Sequence, residues 1–279
     1  MIQSATGVES ALDLFFFDAH EPFLLDSYQH MNSGVSPLYG LSGTGEKLAV
    51  AISATSDDIY SRSHVRALGD LSSNHFNLSD EHPGKPLLFG WIYLKDGRSR
   101  AVTLTLKPQL CRIRVKSLCC DFRERPYPEV SFNNTKLFLM NAVSEYAPAV
   151  TAEGRPVSWD NLGVPSSESS FLTTDGAGTV GRNRVFPEDL SLYCYPNGTD
   201  TEMPGKPFTR LVLEGYVGDT HCYYPVNIPS MVPGGNYELD ITIRRKGTSD
   251  PDIAAETDAV SALQTIIPWN ETDERNQIF

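Results

Sequence analysis

The chain has 279 residues, enough for two domains of the usual ~100–150 residues each. Hydrophobic residues make up 40% of it and charged residues 21%, a globular balance without the signature of disorder. Its 35 acidic residues outnumber its 23 basic ones, and the formal net charge of −12 argues against bulk attraction to nucleic acid or to an anionic membrane surface. No apolar run approaches the ~20 residues that a membrane-spanning helix needs.

In chain order, MIQSATGVES (1–10) has no basic segment leading into an apolar stretch, so no secretory signal is expected in the visible sequence. Strands are expected at 8–18, 46–55, 86–94, 100–106, 109–119 and 134–141, each rich in β-branched or aromatic residues. In 46–55, Leu48, Val50, Ile52 and Ala54 share one face, and in 101–106 so do Val102, Leu104 and Leu106. KDGRS (95–99) would turn WIYL into AVTLTL as a hairpin. Between strands, 56–73 has helical features: Ser56 or Asp57 as cap, Ala67 and Leu68 on a buried side, Gly69 as stop. One short surface-packed helix is expected there.

The periodicity fades over EYAPAVTAEGRPVSW (145–159), which sets a domain boundary: residues 1–148 form one domain and 149–279 a second. The stretch 166–183, rich in Ser, Thr and Gly, reads as a polar, mobile loop, with a binding loop as the alternative. The last third then holds LSLYCYPN (190–197), FTRLVLEGYV (208–217), HCYYPVNIP (221–229) and NYELDITIRRKGTSDPD (236–252), closing on Pro268-Trp269. Tyr237, Leu239, Ile241 and Ile243 alternate with Glu238, Asp240, Thr242 and Arg244, one dry face against one wet face. The fold class is all-β.

Those last segments, in that order, resemble the C-terminal domain of the fimbrillin-associated anchor protein family, the FimB-type subunits of type V pili in Gram-negative anaerobes. LDLFFFDAHEPFLL (12–25), LKPQLCRIRVKS (106–117) and TKLFLMNAVS (135–144) are similar to its earlier strands, so the likeness covers nearly the whole chain. The resemblance implies two β-sandwich domains of transthyretin-like topology, exported to the cell surface as part of a fimbrium at the outer membrane. Its anchor-type members carry lipid on an N-terminal Cys. No Cys precedes Cys111 here, so membrane contact is expected only through a lipid upstream of this chain.

Catalytic and metal motifs are absent: no GxSxG, HExxH, phosphate loop or dinucleotide fingerprint occurs. No enzyme activity and no cofactor is expected. His64, His75 and His82, with Asp80 and Glu81, fit no ligand spacing and read as surface residues rather than a metal site. Asp250 and Asp252 read as turn chemistry rather than a calcium loop, which needs more oxygen ligands. Trp91, Tyr93, Trp159, Tyr223, Tyr224 and Trp269 are assigned to packing, with a sugar-stacking platform as the alternative. The NxS/T triplets at Asn77, Asn133, Asn197 and Asn270 carry no weight outside a eukaryotic secretory context. Five cysteines without CxxC spacing form no framework; Cys194 and Cys222, expected on adjacent strands, read as buried thiols, with a disulfide between them as the alternative. Cys119 and Cys120 would point to opposite faces of an extended segment.

What remains is recognition through the backbone, by strand addition at a sheet edge. The candidate exchange edge is the first strand: Val8, Leu12, Leu14, Phe15, Phe16 and Phe17, apolar on both faces and wanting cover on each. In shaft-type relatives, cleavage of an N-terminal strand opens the acceptor groove. No Arg or Lys precedes Leu12, and NETDERNQIF makes a polar, poor donor tail. Both favour an anchor or accessory subunit. The expected partners are other subunits of the same pilus, a host or bacterial surface ligand, and no nucleic acid; a tip adhesin or a surface carbohydrate-binding protein is the alternative.

Overall fold

The computed structural model describes residues 11–31, 45–53, 64–71, 75–95, 104–150, 154–188, 190–253 and 259–268. The chain divides into two compact units, Met1–Gln109 with Tyr146–Arg155, and Leu110–Glu145 with Pro156–Phe279. The architecture is β-sandwich throughout, with one short α-helix among the described residues.

The first unit contains β1 (Leu12–Asp18), β2 (Leu25–Met31), β3 (Lys47–Ser53), α1 (Leu68–Leu71), β4 (Phe76–Asn77), β5 (Leu88–Leu94) and β6 (Lys107–Pro108). Five of these strands form one sheet in the order β2-β1-β3-β5-β6. Helix α1 is shorter than the expected segment and includes Gly69, the residue expected to stop it. Its start is fixed by Asp70, whose carboxylate accepts the N–H groups of Arg66 and Ala67 at 2.7 and 2.9 Å. Ala67 and Leu68 are half-buried, and the fully buried contacts come instead from Val65 and Leu71. Ser56 and Asp57 lie outside the described residues.

The expected hairpin between 91–94 and 101–106 falls largely outside the described residues, and 104–106 are not a strand. On the side away from β3, the partner of β5 is β6, directly after the expected strand, with Leu88 opposite Pro108 and Phe89 opposite Lys107. The chain reaches that place by passing Gly90, where a Cβ would stand 2.3 Å from the Thr105 carbonyl oxygen. Only a residue without a side chain admits that approach.

The second unit begins with β7 (Cys111–Cys120) and β8 (Phe132–Met140). A break at Asn141, with φ of 52°, leads into β9 (Ala142–Ala147); β9 and β10 (Arg155–Asp160) then carry the chain out of this unit and back. There follow β11 (Thr173–Asp175), β12 (Ser191–Cys194), β13 (Thr209–Val217), β14 (Thr220–Ile228), β15 (Gly235–Ile243) and β16 (Val260–Pro268). Two four-stranded sheets result, β11-β8-β13-β14 and β12-β7-β15-β16. The pairing of β7 with β15 is parallel, while β12 and β16 pair antiparallel at the sides of that sheet.

The dry face expected for β15 is there: Tyr237, Leu239, Ile241 and Ile243 are all fully buried. Its other face is tied across to β7, Glu238 to Arg114 and Lys116 at 3.4 Å each, and Asp240 to the Ser117 hydroxyl.

Two expectations need revision. Strands β7 and β8, placed by sequence in the first domain, supply central strands to the second unit, so the chain does not divide at residue 148. The stretch 166–183 is stitched in rather than loose. Asn161 Oδ1 accepts the N–H groups of Ser166 and Ser167, β11 lies along β8, and Val180 and Phe132 exchange both backbone hydrogen bonds. Leu172 and Val180 are fully buried. In so polar a segment, two well-placed apolar residues and the backbone suffice to anchor the chain.

Candidate strand-exchange site

Of the residues expected at the exchange edge, Val8 lies outside the described residues. Leu12, Leu14, Phe15, Phe16 and Phe17 all stand in β1. Each face is covered, as the apolar pattern required. Leu14 and Phe16 pack with Ala49, Ala51 and Leu104, while Phe15 and Phe17, on the opposite face, are fully buried and stack at 6.0 Å.

The edges of β1 are covered as well. Its residues pair antiparallel with β2 on one side, Leu12 opposite Met31 through Phe17 opposite Leu25, and with β3 on the other, Leu12 opposite Ser53 through Asp18 opposite Lys47. The β1 strand is therefore internal. Strand β3 is internal too, but among the described residues β2 ends the sheet, so β2 is the strand whose departure would open β1 to another.

Polar side chains reinforce the β1–β2 seam. Asp13, fully buried on the same face as Phe15, accepts the Tyr28 hydroxyl at 2.7 Å and lies 2.9 Å from His30 Nδ1. His30 stands directly opposite Asp13, and Tyr28 two residues back on the same face. At the end of the seam the Lys47 ammonium reaches Asp18 at 2.6 Å and Asp26 at 3.6 Å, linking β3 to its neighbour β1 and, across it, to β2. Those interactions, the Asp18 hydrogen bond foremost, raise the Lys47 pKa above its ordinary value of 10.5. Sequence inspection passed over this group. Its signal was an aspartate alternating with phenylalanines on a dry face, facing a Tyr-x-His strand that could answer it.

The remaining sequence candidates do not converge. His64, His75 and His82 are exposed, whereas Glu81 is buried and accepts the Leu87 N–H at 2.9 Å. Asp250 forms the expected local turn, accepting the Asp252 N–H at 2.9 Å. Asp252 accepts from the buried Arg210 guanidinium at 2.5 Å and from Asn141 Nδ2 at 3.1 Å, and Glu202 grips Arg210 with both oxygens at 2.6 and 2.7 Å. A protein cation thus occupies the centre of this carboxylate cluster.

Trp91 and Tyr93 form an edge-to-face pair in the first unit. Tyr223 and Tyr224 lie in the second, Tyr223 half-buried against Phe138 and Tyr224 fully buried. Trp159 is half-buried, and Trp269 lies outside the described residues. All five cysteines are buried and free, and Cys194 and Cys222 sit in different sheets rather than on adjacent strands.

No known family profile matches the sequence, and no curated protein matches it in sequence. The fold, in contrast, has close counterparts among solved structures. A fimbrilin from Porphyromonas gingivalis superposes with a TM-score of 0.63 at 12% identity, over 96% of this chain and 95% of that one. A Parabacteroides distasonis protein provisionally named for cell adhesion gives 0.66 at 11% identity, over 96% and 91%. A fimbrial assembly protein from the same organism gives 0.52 at 11%, over 92% and 91%. The chain has their fold. The likeness extends over more than nine-tenths of both chains in each case.

Proposed function

We propose that this protein is a non-enzymatic structural component of a cell-surface fimbrium, joined to other subunits of the same pilus by β-strand addition and supporting adhesion. The observation that carries the proposal is the likeness of fold, along nearly the full length of both chains, to a fimbrilin and a fimbrial assembly protein. Within the fimbrium we assign it the anchor or accessory position, on the resemblance of its strand segments to anchor-type subunits.

The geometry of the first unit adds how a neighbour would join. Since β1 is paired on both sides, an incoming strand that joins β1 itself would take the place of β2, the strand at the end of the sheet among the described residues. It would inherit a seam of backbone hydrogen bonds and a row of apolar positions, the two elements of strand-addition recognition.

The test is capture of the purified chain by fimbrial subunits encoded beside it. A second variant, Leu14→Cys with Gln29→Cys, crosslinks opposed positions of β1 and β2. Capture by the native chain that is lost in the oxidised variant and restored by reduction is the expected result. Capture unaffected by the crosslink would overturn displacement of β2 while leaving the subunit assignment standing. No capture in any form would overturn that assignment, and binding to a glycan array instead would support the carbohydrate-binding alternative.

A further inference from the structure

The register of β12 on β7 sets Cys194 directly opposite Cys111. Opposed residues of adjacent strands turn their side chains to the same face, and both of these are fully buried. The Val115 N–H donates to the Leu190 carbonyl at 2.9 Å, and alternation down the ladder makes Cys111 and Cys194 a hydrogen-bonded pair. The Cα atoms of such pairs lie about 5.5 Å apart, inside the ~4.4–6.8 Å that disulfides span. Opposed Cβ atoms, about 4.5–5.5 Å apart, must close to about 3.5–4.5 Å, a shift on the order of 1 Å. β12 is four residues long and lies at the end of its sheet, tied beyond β7 by the Tyr193 N–H to the Phe171 carbonyl and the Tyr195 N–H to the Val143 carbonyl. Closing the pair turns the Cys111 thiol from the Val232 carbonyl, to which it donates at 3.1 Å.

We propose that Cys111 and Cys194 form a disulfide when the chain folds in an oxidising compartment. The two thiols give up two protons and two electrons to an incoming disulfide, that of oxidised glutathione or of a thiol oxidoreductase. A thiolate attacks it, a mixed disulfide forms, the second cysteine displaces the carrier, and the oxidant leaves as two thiols.

The exchange belongs to the folding chain, not the folded one. Burial pushes the Cys111 thiol up to about 12 and holds Cys194 well above its ordinary value, so the folded pair supplies almost no thiolate. The other three cysteines are placed apart from this pair. Cys119 lies beside the Thr242 hydroxyl, Cys120 donates to the Val180 carbonyl, and Cys222 belongs to β14 of the other sheet.

The experiment refolds the full chain in a mixture of oxidised and reduced glutathione, denatures it in N-ethylmaleimide and maps the peptides by mass. Three of the five cysteines should be alkylated, with the Cys111 and Cys194 peptides linked until reduced. Cys111→Ser should return Cys194 to the alkylated set, and Cys222→Ser should leave the link intact. Alkylation of all five in a chain with native β circular dichroism, or a link between any other pair, would overturn the proposal. Should the denatured chain not refold, the same mapping is applied to protein exported to an oxidising bacterial periplasm, where a Cys111–Cys194 link supports the proposal and its absence overturns it.

Discussion

Asp13 is the residue on which the first sheet's polar organisation turns. A carboxyl group with no exposure inside an apolar sheet is held there by the groups that reach it, and the Tyr28 hydroxyl is one. Tyr28→Phe should therefore destabilise the protein by about 1–3 kcal/mol, the cost of leaving a buried acceptor one partner short, read from chemical denaturation. Asp121 illustrates the opposite setting. It is held by two 2.7 Å bonds from Arg123, which lower its pKa from 3.8 to about 2. With its folded pKa depressed, the pairing contributes its stabilisation above the ordinary carboxylate value and loses it as pH falls through about 2. Carboxyl carbon shifts followed by NMR should show that low midpoint, returning toward 3.8 in Arg123→Ala. At this scale the sequence was a partial guide. The apolar residues of β1 announced cover on both faces, whereas a buried Asp13 among them was legible only once β2, the strand bearing Tyr28 and His30, had been found.

Among the elements, the segment 248–252 and β13 are joined by Arg210, whose side chain is 5% exposed while Glu202 and Asp252 remain about one-third exposed. That asymmetry decides which changes cost most. Neutralising both carboxylates, Glu202→Gln with Asp252→Asn, leaves a buried guanidinium without a countercharge and should cost about 3–5 kcal/mol in urea unfolding. Either single change keeps one carboxylate on Arg210 and should cost distinctly less. Strand β15 was legible because its alternation is strict and its dry face is fully covered. Strand β16 was not: Leu263 and Ile266 are more than half exposed, so VSALQTIIP has no dry face for a period to trace. Pairing with β15 makes it a strand. The Cys194 neighbour was missed for a related reason, since register between distant strands leaves no mark on local sequence.

For the whole molecule, the unit boundaries carry a direct expectation. A fragment of residues 149–279 lacks β7 and β8, which lie inside the two sheets of the second unit. It should show no cooperative thermal transition by circular dichroism, whereas residues 110–279, with both strands, should melt cooperatively. The reverse outcome would restore the division read from the sequence. That division followed a fall in periodicity over 145–159, which marks a crossing of the chain between units but not the only one. The all-β class was legible from strand patterning and room for two domains from length, while two sandwiches followed only from the resemblance; which strands belong together is a property of pairing across long separations.

The parallel pairing of β7 with β15 joins residues as far apart as Arg114 and Glu238, 124 positions along the chain. A polypeptide emerging from its N-terminus thus makes β7 long before the strand that will lie beside it. Until Ile243 has been synthesised, that side of β7 is an open edge bearing Ile113, Val115 and Leu118. Completion of this sheet is therefore a late event in the life of the chain, slowed by the long loop it must close. The second unit waits on almost the last of the chain, whereas every residue of the first has been made by Arg155.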